Sequence, residues 1–180
     1  MRAAAALLLL ALTASAAAAQ ARIQRLEAGL SGRQVLVSIE LANAFDAELR
    51  ARVESGLPTG IVYDLELAKD RKRWWDRPLQ SASLQLVAMY NAVTRDYLVN
   101  VKLDGKLIES RQAHSLGELE TLLTKVDKLP VFTIEGVPEG WRLLIIGRAE
   151  LGSRTVFSFI PTHVTTPWVE SNKFRPRPPA

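Results

Sequence analysis

The chain has 180 residues, a formal charge of +4 and no cysteine. These facts exclude disulfide staples, thiolate catalysis, thiolate metal sites and a lipid anchor on a modified cysteine. The positive excess is too small and too scattered for a dedicated nucleic-acid binder, whose basic residues form a stripe.

Residues 1–19 predict a cleavable export signal. Arg2 supplies the positive start, Ala3 to Leu12 the apolar run, and Thr13 to Ala19 the small-residue exit. Ala17 and Ala19 favour a cut after Ala19, and cuts after Ala16 or Ala21 also satisfy the rule. The apolar run falls short of the about 20 residues a bilayer span needs, and no later stretch is longer. The product is therefore expected in the periplasm or outside the cell, with no transmembrane span. One β-rich domain is expected over 20–168, followed by a basic, proline-rich flexible tail over 169–180.

Residues 22–30 and 34–42 predict a hairpin turning at Ser31-Gly32. Val35, Val37, Ile39 and Leu41 form one face of the second arm, with Ser38 and Glu40 on the other; period two marks a half-buried strand. Asp46 is placed to cap a short helix in which Phe45, Leu49 and Val53 recur every fourth residue and Gly56 follows the end. After Pro58-Thr59-Gly60, Ile61, Tyr63, Leu65 and Leu67 alternate with Asp64 and Glu66 as a further strand. A charged stretch, Lys69 to Arg77, turns the chain. Residues 82–92 and 96–103 predict a second long pair. Asp104-Gly105 then signals a type I′ hairpin, which needs positive φ at both positions.

Ser115 and Glu118 have capping-box spacing, and Leu116, Leu119, Leu122, Leu123 and Val126 share one helical face behind them. After Pro130, strands are expected at 131–135, 141–151 and 154–160, the last two joined at Gly152-Ser153. The plan is mainly β: antiparallel hairpins with two short helices, closing as an Ig-like β-sandwich, with a half-open barrel as the alternative.

Several stretches, in this order and spacing, resemble the bacterial exported proteins grouped as domain-of-unknown-function family 4390. They are Leu41-Ala-Asn-Ala-Phe-Asp46, Glu54-Ser-Gly-Leu-Pro-Thr-Gly60, Asp70-Arg-Lys-Arg-Trp-Trp-Asp76, Asp96-Tyr-Leu-Val-Asn100, Leu103-Asp-Gly-Lys-Leu107, Ala149-Glu-Leu-Gly-Ser153 and Phe157-Ser-Phe-Ile-Pro161. The resemblance implies a bacterial, exported, single-domain protein and carries no activity with it. Relatives beside membrane sensor-kinase genes point to envelope signalling.

No catalytic motif stands out. His114 and His163 are the two histidines, and neither lies in a recognisable hydrolytic triad. Asp64 and Glu66 read as the wet face of a strand, and Asp70 and Asp76 are interleaved with Lys and Arg, whereas calcium sites want clustered, unopposed oxygens. No metal, no cofactor and no catalytic residue is expected. The unusual segment is Lys69 to Arg77, with five cations and two adjacent tryptophans in nine residues. Guanidinium groups hold phosphate and carboxylate in a bidentate manner, and indoles favour sugars, cations and membrane interfaces. Arg71, Arg73, Trp74, Trp75 and Arg77 are thus the candidate binding residues. The alternative is that the tryptophans are packed and the arginines are ordinary solvated turn residues. The expected function is a non-enzymatic envelope module that binds a protein partner or an anionic surface. An accessory or sensory subunit of a sensor-kinase system and an enzyme with a cryptic carboxylate site are the alternatives.

Overall fold

The computed structural model describes residues 20–70, 78–138, 140–156 and 160–176; the export signal predicted at 1–19 lies outside them. Strands β1 (Arg22–Ser31) and β2 (Gln34–Ala42) form the first hairpin, with Ser31 opposite Gln34 and Gly32 at φ 59°. Every alternate residue of β2 from Val35 to Leu41 is buried. Ser38 departs from the expected wet face. It lies opposite a bulge in β7 (Lys125–Thr133), where its Oγ donates to Asp127 Oδ1 at 3.2 Å and accepts from the Lys128 N–H at 3.0 Å. The second of those bonds serves a residue held at φ 46°.

Helix α1 (Ala47–Glu54) begins as its sequence predicts: the Asp46 carboxylate accepts from the Leu49 N–H at 2.9 Å. Leu49 and Val53 are its buried residues, and Gly56 follows at φ 80°. Next come β3 (Thr59–Lys69), β4 (Gln80–Asn91), β5 (Asp96–Leu103) and β6 (Lys106–Ala113), each antiparallel to the last. Ile61, Tyr63, Leu65 and Leu67 make the buried row of β3. Gly60 lets β3 lie against β4, since a Cβ there would collide with the Leu86 carbonyl. Asp104 and Gly105 take φ 48° and 78°, the type I′ signature.

Helix α2 (Leu116–Thr124) is capped by Ser115, whose Oγ accepts from the Glu118 N–H. The return half of the box is displaced by one residue, because Glu118 Oε2 accepts from the His114 N–H at 2.8 Å. The helix stops two residues earlier than its apolar periodicity suggests, and Val126 reaches the core from β7 instead. Pro130 sits inside β7 rather than before a strand. It is tolerated there because β7 is an edge strand, with no second neighbour among the described residues for the missing N–H to serve.

The largest departure is at β8 (Leu143–Val156). Gly152-Ser153 does not turn the chain; the strand runs on, and β9 (Ile160–Thr165) pairs with it from beyond 157–159. The glycine and serine together oppose one residue, so the turn signal is spent on a bulge.

β1, β2 and β7 form a three-stranded sheet with β2 in the middle. The larger sheet runs β10-β8-β3-β4-β5-β6, where β10 is Val169–Glu170, and β9 also pairs with β8. Apolar residues of both sheets and α2 share one core. The result is a two-sheet antiparallel sandwich, and the barrel alternative falls away. Across the core, the Tyr63 hydroxyl donates to the Leu123 carbonyl at 3.1 Å. That bond ties the larger sheet to the last turn of α2, and burial pushes the phenol well above its ordinary range.

The expectation of a flexible tail from 169 onward needs correction for its first residues. Past β9 the chain continues along the same edge of β8. Thr166 donates its N–H to the Ala149 carbonyl and accepts the Ala149 N–H on Oγ1; Ser171 does the same with Ile145. Phe174 exchanges both backbone bonds with Leu143. Composition suggests a tail, but β8 offers a long edge of donors and acceptors, and the segment 160–174 satisfies it. Asn172 then reaches the other sheet: its amide accepts from the Ala28 N–H at 2.8 Å and donates to the Ala28 carbonyl at 2.9 Å. Residues 177–180 lie outside the described residues.

Candidate functional site

The predicted binding residues Arg71, Arg73, Trp74, Trp75 and Arg77 lie outside the described residues. Their mooring is visible. β3 delivers the chain to Asp70, and the Leu79 N–H donates to the Leu67 carbonyl at 2.8 Å, so the described residues on either side of 71–77 are held on the same sheet.

Two further cations, Arg142 and Lys173, meet there from distant parts of the chain, beside Lys69. The Asp70 carboxylate accepts from Lys173 Nζ at 2.7 Å and pairs with Arg142 Nε at 3.4 Å. The Asp70 N–H donates to the Arg142 carbonyl at 2.7 Å. Lys69 places its ammonium 3.7 Å from the centre of the Trp141 ring, a distance at which the indole quadrupole attracts a cation. The hydrogen bond from Lys173, and then the charges of Lys173 and Arg142, hold the Asp70 carboxyl below the usual carboxylate range despite partial burial. Asp70 stays ionised and knits this end together. Sequence reading missed Trp141, Arg142 and Lys173 because they are more than sixty residues from the loop. The signal that could have found Lys173 is the cluster of basic residues in the tail.

A second concavity lies on the outer face of the larger sheet, with a volume of about 400 Å³. Arg148, Asp64 and Ser83 stand side by side on β8, β3 and β4. Arg148 Nε donates to Asp64 Oδ2 at 2.9 Å, and the indole of Trp168 lies 4.7 Å from the guanidinium carbon. Asp104 closes the far side by accepting the Ser83 N–H at 2.8 Å. Sequence alternation put Asp64 and Glu66 on the wet face of β3, where they are. Nothing local announced that Arg148 and Trp168 would join them.

His114 has a local task. Its Nδ1 lies 2.8 Å from Asp96 Oδ1, and that bond, with the Asp96 charge behind it, raises the imidazole pKa above its ordinary value. Among the described residues, no group of three or more His, Asp or Glu side chains is placed to hold a metal ion. No helix among them is long and apolar enough to cross a membrane.

Fold and surfaces together define a two-sheet antiparallel β protein with one cation-rich end and one polar, aromatic-walled sheet face. Residues 18–155 match the family described as a domain of unknown function, DUF4390, and the chain belongs to that family. The match ends within β8, so the edge segment bearing Trp168, Asn172 and Lys173 lies beyond it. Comparison with curated proteins and with solved structures finds no match.

Proposed function

We propose that the protein is an exported, non-enzymatic binding module of the cell envelope whose basic end engages an anionic surface or an acidic protein. One observation supports this reading above the others. Lys69, Arg142 and Lys173 gather beside the segment that holds Arg71, Arg73 and Arg77, Arg142 and Lys173 on the Asp70 carboxylate they share and Lys69 over the Trp141 ring. Gathering like charges raises the energy of the folded chain, and an incoming anion relieves that repulsion. Arginine suits the task because its planar fork matches phosphate and carboxylate. Trp74 and Trp75 add the side chains that settle most readily at a membrane interface or a partner's surface.

The test is co-sedimentation with phosphatidylglycerol vesicles and with phosphatidylcholine vesicles, beside crosslinking in an envelope extract. Retention on the anionic vesicles, weakened by salt, identifies a surface; an acidic protein crosslinked near residue 74 identifies a protein. Replacing Arg71, Arg73 and Arg77 together by Gln is expected to weaken whichever is found and to leave the circular dichroism spectrum unchanged. Equal retention on both vesicle types with no crosslinked partner refutes the proposal.

A further inference from the structure

The outer face of the larger sheet differs in chemistry from the basic end, and it carries an inference independent of it. We propose that the groove between Trp168 and Asp104 binds a saccharide.

The first support is the balance of polar groups. A sugar hydroxyl donates and accepts at once, so its site must offer both kinds of partner. Acceptors here are the carboxylates of Asp64, Glu66 and Asp104, which line the groove. Donors are the Arg148 guanidinium and the hydroxyls of Ser81 and Ser83, which line it too. A simple anion is disfavoured, since three carboxylates face it. A simple cation is disfavoured by the Arg148 guanidinium, which is bonded to Asp64 in the same row. A neutral ligand rich in hydroxyls meets neither objection.

The second support is preorganisation. Asp64 and Arg148 occupy opposed positions on neighbouring strands and are joined by a 2.9 Å bond. Asp104 is held by the Ser83 N–H. These side chains are fixed before any ligand arrives, so little of their conformational freedom is lost on binding. The third support is the wall. Trp168 packs against Arg148 yet keeps 36% of its surface exposed. An indole offered in this way stacks on the apolar C–H face of a sugar ring while the polar row takes the hydroxyls.

Size agrees with an oligomer. From the strand below Trp168 to the end of β5 the groove crosses three inter-strand steps, about 14 Å at about 4.8 Å each. That length holds a short oligosaccharide lying across the strands. The groove is open along its sides, which suits an internal stretch of a longer glycan.

The probes are maltotetraose and tetra-N-acetylchitotetraose, followed by amide-shift NMR on the isotope-labelled protein, after a screen on an array of neutral glycans. The expected result is saturable shifts clustered at residues 64–66, 81–83, 104, 148 and 168. Trp168→Ala should lower affinity roughly threefold to tenfold, the value of one aromatic stacking contact, and Trp168→Phe should restore most of it. Glu66→Gln, which keeps the side-chain shape, is expected to weaken binding and serves if Trp168→Ala does not fold. Glu120→Gln, on α2 across the core from the groove, should leave saccharide binding unchanged. No array signal and no saturable shifts, shifts mapping elsewhere, or full binding by both Trp168→Ala and Glu66→Gln would each overturn the proposal.

Discussion

Asn172 makes the most demanding test of the architecture. β1 is the outer strand of the smaller sheet, and β2 occupies only one of its edges. At the other edge, the Asn172 side-chain amide bonds the N–H and the carbonyl of Ala28, taking the place of a neighbouring strand residue. Because Asn172 directly follows Ser171, which is bonded to β8, this contact joins one sheet to the other. Asn172→Ala removes two hydrogen bonds, each worth about 1 kcal/mol net. Water can reach an edge strand, so the full penalty for an orphaned buried group does not apply. The expected loss is therefore about 2 kcal/mol, or roughly 4–8 °C in Tm for a domain of this size. Urea unfolding supplies the free energy, and hydrogen exchange at the Ala28 amide supplies the location. Asn172→Asp is the internal control: it can still accept from the Ala28 N–H but cannot donate to the carbonyl, so its loss should be at least half as large. A change under about 0.5 kcal/mol for Asn172→Ala, beside unaltered exchange at Ala28, refutes the view that this residue clasps the sheets.

Other consequences follow from single contacts. Gly60→Ala should destabilise by several kcal/mol or abolish folding, because the new Cβ meets the backbone of Leu86, which has no room to yield; a normal denaturation midpoint would show that β3 and β4 can separate. Tyr63→Phe should cost about 1–3 kcal/mol, since the buried Leu123 carbonyl loses its donor, and an unchanged midpoint would mean that water replaces the hydroxyl. The His114–Asp96 pair predicts a pH dependence of definite sign. The folded pKa is raised above the ordinary value of 6.5, so the stabilisation is complete below 6.5 and is lost as pH rises through the folded value. His114→Gln should flatten stability across that window, and Asp96→Asn should lower the imidazole pKa measured by NMR. A lower pKa in the wild type than in Asp96→Asn contradicts the assignment.

The local signals were legible because their causes are local. Period-two apolarity at Ile61, Tyr63, Leu65 and Leu67 reports a buried sheet face whatever the partner strand is. Asp104-Gly105 reports a turn because few residue pairs accept positive φ twice in succession. Asp46 and Ser115 report helix starts because the first N–H groups of any helix need an acceptor. The misread signals share a different cause. Gly152-Ser153 has turn chemistry, but the same chemistry serves a bulge, and the extended run of β8 decides between them. Pro130 reads as a strand boundary until β7 is known to lie at a sheet edge.

By itself, then, the sequence determined the alternating faces, the hairpin turns, the helix caps and the lack of thiol chemistry, each a property of a few neighbouring residues. Tertiary structure alone decided which strands share a sheet and that residues 160–174 close the edge of β8. It also decided that Arg142 and Lys173 meet at Asp70, and that Trp168 walls a groove floored by Asp64 and Ser83. These facts rest on pairings across scores of residues, up to 144 between Ala28 and Asn172. A backbone edge or a lone carboxylate accepts any suitable donor, so the partner is chosen by the whole packed arrangement and leaves no mark in the sequence around it.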